Sequence, residues 1–162
     1  MGVSGCGKST VADIIARKIG AFGKDGDDLH PKSNIDKMAS GQPLTDEDRQ
    51  PWLEAVAAYA RDKAIEHEIC VIACSALKRR YRSTLNTAGR VVYIFLEGSH
   101  ALIAARMHLR TGHFMPENLL DSQFECLEDP RQESNVITVG IEAAPEAIAA
   151  DAVRLLEQQQ YL

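Results

Sequence analysis

The chain has 162 residues, of which 45% are hydrophobic and 25% are charged, and its formal net charge at pH 7 is −5. These values are typical of one globular domain, here over residues 1–162, with enough apolar residues for a core that needs no disulfides. The acidic balance argues against nucleic acid or an anionic membrane as the main partner, because both favour basic surfaces. The sequence shows neither a run of about 18 apolar residues nor a signal peptide, so we expect a soluble, cytoplasmic protein.

Helical and strand-like apolar patterns alternate along the chain. Helices are predicted over residues 9–19, 51–66, 78–87, 99–110, 116–128 and 145–159. Short apolar, β-branched runs predict buried strands over residues 69–74, 91–96 and 136–141. Gly20 is a stop signal for the first helix, and Thr45 with Asp48 forms a capping-box pattern ahead of the second. This order predicts an α/β fold in which helices flank both faces of a parallel sheet.

Residues 2–9 read Gly-Val-Ser-Gly-Cys-Gly-Lys-Ser and fit the phosphate-binding P-loop pattern Gly-x4-Gly-Lys-Ser/Thr. Glycines let backbone N–H groups approach phosphate oxygens, and the following helix directs the positive end of its dipole at them. Lys8 is predicted to reach the β- and γ-phosphates, and Ser9 to offer its hydroxyl to Mg²⁺. The predicted nucleotide-binding residues are Gly2, Val3, Ser4, Gly5, Cys6, Gly7, Lys8, Ser9 and Thr10. A glycine-rich turn before a helix is the alternative.

The N-terminal side of this motif is unusual. A P-loop normally follows a buried strand, but here Met1 alone precedes Gly2. We therefore expect the first strand of the sheet to be missing from the chain as given. A shortened N-terminus is the favoured explanation, and a strand supplied by a partner is the alternative.

An acidic cluster follows the first helix. Asp25, Asp27 and Asp28 come just beyond the expected end of a second strand, where an open α/β sheet has its ligand crevice. Carboxylates there can hold Mg²⁺ and accept a proton from an attacking hydroxyl, although a solvated acidic turn is the alternative. Residues 22–24, Phe-Gly-Lys, fit poorly in a buried strand, and this raises doubt about full catalytic competence.

Several longer blocks make a specific resemblance. They are residues 2–9, 25–31 (Asp-Gly-Asp-Asp-Leu-His-Pro), 34–38 (Asn-Ile-Asp-Lys-Met), 41–44 (Gly-Gln-Pro-Leu), 46–53 (Asp-Glu-Asp-Arg-Gln-Pro-Trp-Leu), 74–78 (Cys-Ser-Ala-Leu-Lys) and 112–116 (Gly-His-Phe-Met-Pro). In this order they resemble the bacterial gluconokinase family, from residue 2 to about residue 130. The blocks are long and unusual, so together they are more specific than the P-loop alone.

The resemblance implies ATP-dependent phosphorylation of D-gluconate at its terminal hydroxyl, which gives 6-phosphogluconate. The implied architecture is a three-layer P-loop kinase fold similar to that of shikimate kinases, with a helical lid at about residues 106–128. The cofactors would be ATP and Mg²⁺, and a homodimer is expected on the resemblance alone.

Roles near the transferred phosphoryl group follow by analogy with the Asp-x-Asp pair of shikimate kinases. Asp25 is assigned with Ser9 to the Mg²⁺ shell. Asp27 is assigned to the acceptor hydroxyl, as base or orienting group, and it counts as both catalytic and substrate-binding. Lys8 would share the neutralisation of phosphate charge.

The acceptor is an anion with a polyol chain, so its site should combine cations with hydroxyl-binding groups. Arg49 can form a bidentate hydrogen-bonded pair with a carboxylate, and Lys78 and His30 would add hydrogen-bond donors. For Arg49 the alternative is an ion pair on the helix surface with Glu47 or Asp48.

The expected lid carries two further cations. Arg106 and Arg110 are four residues apart and share a helix face, so we expect them to fold over the phosphoryl group. A plain surface role is their alternative. His113 is expected either to contact substrate or to pack the lid, and Arg131 is a candidate for stacking on adenine.

Other residues with chemical potential are expected to be structural. Trp52 should anchor its helix in the core. The remaining cations of the basic run are expected on a solvated helix face: Arg79, Arg80 and Arg82. The thiols are expected to be reduced and outside the chemistry: Cys6, Cys70, Cys74 and Cys126.

Two other functions remain open on the sequence. One is a P-loop kinase for a different small acceptor, such as shikimate, a nucleoside monophosphate or another sugar acid. The other is an ATP-binding regulatory module that has lost catalysis with its first strand.

Overall fold

The computed structural model describes residues 1–109 and 117–162. Its helices are α1 (Lys8–Ile19), α2 (Lys32–Ala39), α3 (Asp46–His67), α4 (Arg79–Leu85), α5 (His100–Leu109), α6 (Glu117–Cys126) and α7 (Pro145–Gln158). Its strands are β1 (Phe22–Asp25), β2 (Cys70–Ala73), β3 (Tyr93–Glu97) and β4 (Val136–Gly140). The predicted alternation of helices and strands is confirmed, and α2 is an addition that the sequence analysis lacked.

Helix α3 begins at Asp46, earlier than the predicted start at residue 51, because the capping box forms. The Asp48 N–H donates to Thr45 Oγ1 at 3.2 Å, and the Thr45 N–H donates to Asp48 Oδ2 at 2.8 Å. Lys37 on α2 donates to the same carboxylate at 2.5 Å. This Lys37 hydrogen bond, followed by the Thr45 backbone, lowers the pKa of Asp48 to about 2. The cap thus joins α2 to the start of α3.

The strands form two separate parallel pairs. β1 pairs with β2 from Phe22 opposite Cys70 onward, and β3 pairs with β4 from Tyr93 opposite Val136 onward. β2 and β3 belong to different sheets.

Residues 22–24 do form a strand, β1, and it is half-buried or exposed along its length; the doubt about catalytic competence stays a prediction. β1 lies at the outer side of its sheet and pairs along one edge with β2, and an edge strand tolerates Gly and Lys better than a central one. Lys24 turns outward and donates to Asp28 at 2.5 Å. Phe22 stacks on the His67 ring with centroids 4.9 Å apart.

Two apolar clusters cover the two faces of the strands. Val71 packs against one cluster and its neighbour Ile72 against the other, because successive side chains of a strand point to opposite faces. The first cluster, around α1, α5 and α7, includes Ile15, Ile103, Ile141, Ala149 and Ala152. The second, around α3 and α4, includes Trp52, Leu53, Val56, Tyr81 and Tyr93. This is the predicted layered arrangement, with parallel strands between helices.

One member of the basic run contradicts the expected solvated helix face. Arg82 is only 1% exposed. Its guanidinium pairs with Glu133 at 2.6 Å and donates to the carbonyl oxygens of Ala76 and Leu77 at 2.8 and 3.0 Å. Burial is possible because every donor direction meets an acceptor.

A membrane-spanning helix is not found within residues 1–109 and 117–162, since no helix there is both long and apolar enough.

Candidate active site

The P-loop wraps the start of α1 with three glycines at positive φ. Gly7 is the N-cap of α1 with φ 98°, and nothing lies within 4 Å of the position a Cβ would take. Glycine is therefore favoured at residue 7 by the positive φ and not by a lack of space. Gly5 has φ 80°, and a Cβ there would lie 2.8 Å from the Met107 side chain of α5. At residue 5 a larger side chain is therefore disfavoured both by the backbone conformation and by the lack of space. The loop can thus pass closely between α1 and α5.

The start of α1 is suited to an anion. No side chain caps it and its first turn carries no acidic residue among those the structure describes, so no carboxylate of its own first turn offsets the helix dipole. Lys8, the first residue of α1, donates to the Val3 carbonyl oxygen at 2.8 Å. The loop therefore brings an ammonium group and a helix N-terminus together.

Ser9 and Asp25 meet beside this loop. Ser9 Oγ donates to Asp25 Oδ2 at 2.6 Å, and Asp25 Oδ1 accepts the Asp27 N–H at 3.0 Å. Two oxygen donors beside a phosphate-type site fit Mg²⁺, which keeps several waters and takes few protein ligands. In the part of the chain that the structure describes, no three His, Cys, Asp or Glu side chains are grouped to hold a metal ion. The donor set therefore fits a metal that is held mainly by phosphate and water.

Asp27 lies on the 3₁₀ turn Gly26–Leu29, immediately after β1. Its pKa is raised, first by desolvation and then by repulsion from Asp25, while His30 and Lys8 act in the opposite direction. The side chain keeps 81% of its surface accessible, so repulsion from Asp25 is the firmer cause. A raised pKa makes this accessible carboxylate a stronger proton acceptor than an ordinary aspartate.

His30 is held from three sides. Its ring stacks on Trp52 with centroids 4.2 Å apart, and its Nδ1 lies 3.3 Å from the Asn34 side-chain amide nitrogen. Because that nitrogen is a donor, Nδ1 accepts and the neutral ring carries its proton on Nε2. Nε2 lies 3.9 Å from Asp27 Oδ1. His30 therefore presents an N–H toward Asp27.

Burial favours the neutral form of this imidazole. Desolvation lowers the pKa of His30, the nearby Arg49 lowers it further, and Asp27 opposes both. Trp52, beneath the ring, donates from Nε1 to the Gly26 carbonyl at 2.8 Å and so fixes α3 to the turn that carries Asp27.

Arg49 lies on α3 near His30. Its positive charge also acts against the raised pKa of Tyr81, so Arg49 lies near both rings. Among the described residues it forms no ion pair with Glu47 or Asp48, and Asp48 pairs with Lys37 instead. The surface ion pair considered as the alternative for Arg49 is therefore not seen.

Lys78 is engaged by a residue that the sequence analysis did not select. Its Nζ donates to Asp46 at 2.9 and 3.0 Å. Arg80 donates to the same carboxylate at 2.9 Å, and the Tyr81 hydroxyl donates to it as well. The hydrogen bonds from Tyr81 and then Lys78 lower the pKa of Asp46. Lys78 thus belongs to a hydrogen-bonded group of side chains around Asp46, at the start of α3.

The lid candidates are only partly described. Arg106 lies on α5 and donates to the Ile141 carbonyl oxygen. Arg110 and His113 lie outside the described residues. Arg131 pairs with Asp129 at 2.6 Å and with Glu97 at 3.2 Å, so the adenine candidate is bound to two carboxylates.

Four residues of the site region were missed or given another role by sequence reasoning. Asn34 and Trp52 orient His30, Asp46 binds Lys78, and Arg82 links α4 to the segment around Glu133. Asn34 is 3% exposed, and it reaches His30 across the start of α2, because His30 precedes that helix. The partner of Arg82 is 51 positions away, and nothing local indicates it.

The comparisons with known proteins agree with this geometry. The chain matches the shikimate kinase family model over residues 4–157. It is 41% identical over 162 residues to the thermoresistant gluconokinase of Escherichia coli (strain K12), covering 98% of this chain and 91% of that protein. The thermosensitive gluconokinase of that strain is 47% identical over 145 residues, with 87% and 76% covered. A solved gluconokinase from Sinorhizobium meliloti 1021 has a TM-score of 0.85 and 45% identity, with 99% and 93% covered.

Proposed function

Because the chain belongs to the gluconokinases, within the shikimate kinase family whose model it matches, we propose that it transfers the γ-phosphoryl group of ATP to D-gluconate. The terminal hydroxyl would be the acceptor and 6-phospho-D-gluconate the product. One observation carries the proposal: Ser9 and Asp25 meet at 2.6 Å beside the uncapped start of α1, and Asp27 and His30 lie on the adjoining turn. The residues that we propose for binding the phosphoryl donor and the acceptor thus lie next to each other, which supports in-line transfer.

On the donor side, the backbone of residues 2–10 would cradle the phosphates. Lys8 would exchange the Val3 carbonyl for the β- and γ-phosphate oxygens, since a charged acceptor binds an ammonium more strongly than a neutral carbonyl does. Ser9 and Asp25 are the proposed protein ligands of Mg²⁺. When bound, Mg²⁺ supplies neutralisation of phosphate charge.

On the acceptor side, Asp27 would orient the attacking hydroxyl and take its proton. Its raised pKa supports this role, and the accessible carboxylate leaves room for substrate. His30 would donate from Nε2 to a substrate oxygen, with Trp52 and Asn34 holding the ring in place. A neutral donor suits a polyol, which offers hydroxyl oxygens and no formal charge along its chain.

The gluconate carboxylate needs a cation that is not already neutralised. Arg49 is our first choice, because the described residues give it no carboxylate partner, and its planar guanidinium can hold both carboxylate oxygens. Lys78 is proposed as a second contact. It shares Asp46 with Arg80, so its attraction for substrate is weaker.

The lid roles remain proposals from the resemblance. Arg106 and Arg110 would stabilise charge on the transferring phosphoryl group, and His113 would contact substrate. Arg106 would first release the Ile141 carbonyl. We also propose that the protein is cytoplasmic, which is consistent with its four free cysteines. A homodimer is proposed from the resemblance alone.

The direct test is ADP release with Mg-ATP and D-gluconate, compared with shikimate, AMP and no acceptor. We expect turnover with gluconate alone. Turnover with another acceptor would contradict the substrate assignment, and ATP binding without any turnover would favour a noncatalytic module.

A matched pair of variants tests the carboxylate grip. Arg49→Met should raise KM for gluconate by roughly 10- to 100-fold, the loss expected for a charge-assisted hydrogen-bond pair, while KM for ATP stays unchanged. Arg61→Met is the control, because Arg61 is an exposed arginine on the same helix. Equal gluconate KM values in the two variants would remove Arg49 from the substrate site.

A further inference from the structure

Helix α6 reaches the phosphate-binding loop through a polar side chain. Gln123 lies in the last turn of α6, and its Oε1 accepts the backbone N–H of Ser4 at 2.6 Å. The accepting atom must be the amide oxygen, because both a backbone N–H and the side-chain amide nitrogen are donors. The two residues are 119 positions apart, so this hydrogen bond is made by the fold and joins the loop to α6.

Apolar contacts dock α6 beside the loop without the help of this hydrogen bond. Leu120, one turn before Gln123, is 1% exposed and lies in the same apolar cluster as Val3 of the loop. Phe124 packs against that cluster, and its ring centroid lies 5.2 Å from that of His100 on α5. The amide of Gln123 therefore adds a directed contact to a helix that other side chains already hold in place.

The hydrogen bond acts on the peptide group between Val3 and Ser4. The carbonyl oxygen of this group accepts from Lys8 Nζ at 2.8 Å and from the Cys6 N–H at 3.4 Å. Its N–H is the donor to Gln123. Because a peptide group is planar, contacts at both of its ends fix the rotation of the whole plane. The loop is thus held at this point between Lys8 on one side and Gln123 on the other.

Nucleotide binding would remove one of these two anchors. Lys8 is proposed above to leave the Val3 carbonyl for the β- and γ-phosphates, and the inference rests on that proposed function. The carbonyl would then keep only the 3.4 Å contact from Cys6 among those described, which is longer than the usual N–H···O range. The 2.6 Å contact from Gln123 would be the stronger one left on this peptide group.

The orientation of this peptide group matters for phosphate binding because Gly5 follows it directly. Gly5 has φ 80°, and its N–H belongs to the proposed phosphate cradle. A loop that has to be ordered when the nucleotide arrives binds it more weakly than a loop that is already ordered. An anchor that persists in the complex therefore contributes more to nucleotide affinity than to the stability of the free chain, where Lys8 holds the same group.

We propose that Gln123 is a positioning residue for the phosphoryl donor: its side-chain oxygen holds the peptide group between Val3 and Ser4 while Lys8 binds the phosphates of ATP. Gln123 acts through Ser4 and not by contact with the phosphates. The shape of the phosphate-binding loop thus depends on α6, a helix of the expected lid.

The test compares Gln123→Met with Glu125→Met. Methionine has nearly the length of glutamine but offers no oxygen to Ser4, and residue 125 is exposed on the same helix. Both variants are titrated calorimetrically with the Mg²⁺ complex of a non-hydrolysable ATP analogue. E125M should bind as the parent does, whereas Q123M should bind roughly tenfold more weakly, the effect of one N–H left without a partner. In free Q123M this N–H can turn to water, but in the complex the loop must return to its binding shape.

The titration contains no acceptor, so it reports on Gln123 whether or not gluconate is the substrate. If the chain is active, KM for ATP should rise by a similar factor in Q123M while KM for gluconate stays unchanged. The urea midpoint of Q123M should change little, because Leu120 and Phe124 still dock α6. A merely structural contact would give the opposite pattern.

Hydrogen exchange of the Ser4 amide, followed by NMR, tests the contact itself. In the nucleotide complex of the parent this amide should be protected, and in the complex of Q123M it should exchange freely. An unprotected Ser4 amide in the parent complex would show that Gln123 lets go, so this measurement decides even if Q123M fails to fold.

Three other results would also overturn the proposal. The first is equal nucleotide affinity of Q123M and E125M. The second is a lower urea midpoint of Q123M with unchanged nucleotide affinity, which would make Gln123 a structural contact alone. The third is a Ser4 amide that stays protected in the nucleotide complex of Q123M, which would mean that a phosphate oxygen accepts this N–H.

Discussion

Replacing Arg82 with alanine tests whether a buried cation holds together the two segments that flank the candidate site. The Arg82 guanidinium donates to carbonyl oxygens of Ala76 and Leu77, which follow β2, at 2.8 and 3.0 Å. It also donates to the Glu128 carbonyl at 3.2 Å, and its Nη2 and Nε bind Glu133 at 2.6 and 2.9 Å. One side chain therefore joins the end of β2 to the segment before β4.

The expected cost follows from what alanine leaves behind. Removing one partner of a buried ion pair costs about 3–5 kcal/mol, because the other charge is left without compensation. Each buried carbonyl that loses its donor adds about 1–3 kcal/mol. Glu133 is 17% exposed, so water recovers part of the ion-pair loss, the carbonyl losses add to what is left, and we expect a total of at least about 4 kcal/mol. That is a large share of the roughly 5–15 kcal/mol typical of whole domains.

Urea unfolding, followed by circular dichroism and by the single tryptophan, measures the effect. With a denaturant slope of about 2 kcal/mol per molar, the midpoint of Arg82→Ala should fall by about 2 M. Arg79→Ala is the control on the same helix. Arg79 is 68% exposed and lies 3.6 Å from Glu133, so its loss should cost about 0–1 kcal/mol. Equal midpoints for the two variants would refute the burial of Arg82 as the source of stability.

Three further outcomes test the site and its supports. Asp27→Asn should lower kcat by roughly 10²- to 10⁴-fold, the range for a lost general base, with ATP affinity unchanged; Asp28→Asn is the neighbouring control, and near-normal turnover of the Asp27 variant would rule out a base role. Gly5→Ala should reduce ATP affinity strongly in calorimetric titration, because its φ is 80° and its Cβ would lie 2.8 Å from Met107; unchanged affinity would contradict the described loop geometry. Asp48 has a folded-state pKa of about 2, below the ordinary 3.8, so its stabilising contribution is complete above about pH 4 and is lost as the pH falls toward 2. Asp48→Asn should reduce the fall of the urea midpoint between about pH 4 and pH 2. If the midpoint falls equally in the parent and the variant, the pKa of Asp48 is not lowered.

Local signals predicted much of the fold because their physical causes lie within a few residues. The P-loop glycines and the capping box of Thr45 act within one turn of helix, and each formed where the pattern indicated. The apolar runs of β2 and β3 were also recognised, since both faces of these strands are covered and a two-sided apolar run needs no distant context. The lid role of Arg106 stays a prediction, as do the roles of Arg110 and His113.

Elements whose form depends on a neighbour were predicted less well. Residues 22–24 were expected to fit poorly in a buried strand, but β1 lies at the edge of its sheet, where a strand needs only one neighbouring strand. Arg82 lies in a basic run that is typical of a solvated helix face, and its burial was not predicted because its partner Glu133 is 51 positions away. The substrate-binding role of Lys78 stays a prediction, and its pairing with Asp46 was not predicted, because it depends on how α3 packs against α4.

The sequence by itself determined the chemistry available to this protein: a phosphate-binding loop, an Asp-x-Asp pair after the first helix, and blocks that resemble gluconokinases. It did so because glycine conformations, helix caps and motif spacings are properties of short stretches of chain. Only the tertiary structure decided which groups meet. The orientation of His30 by Trp52 and Asn34 and the burial of Arg82 both arise from packing, in which a side chain's partner is set by the fold and not by its immediate neighbours in sequence.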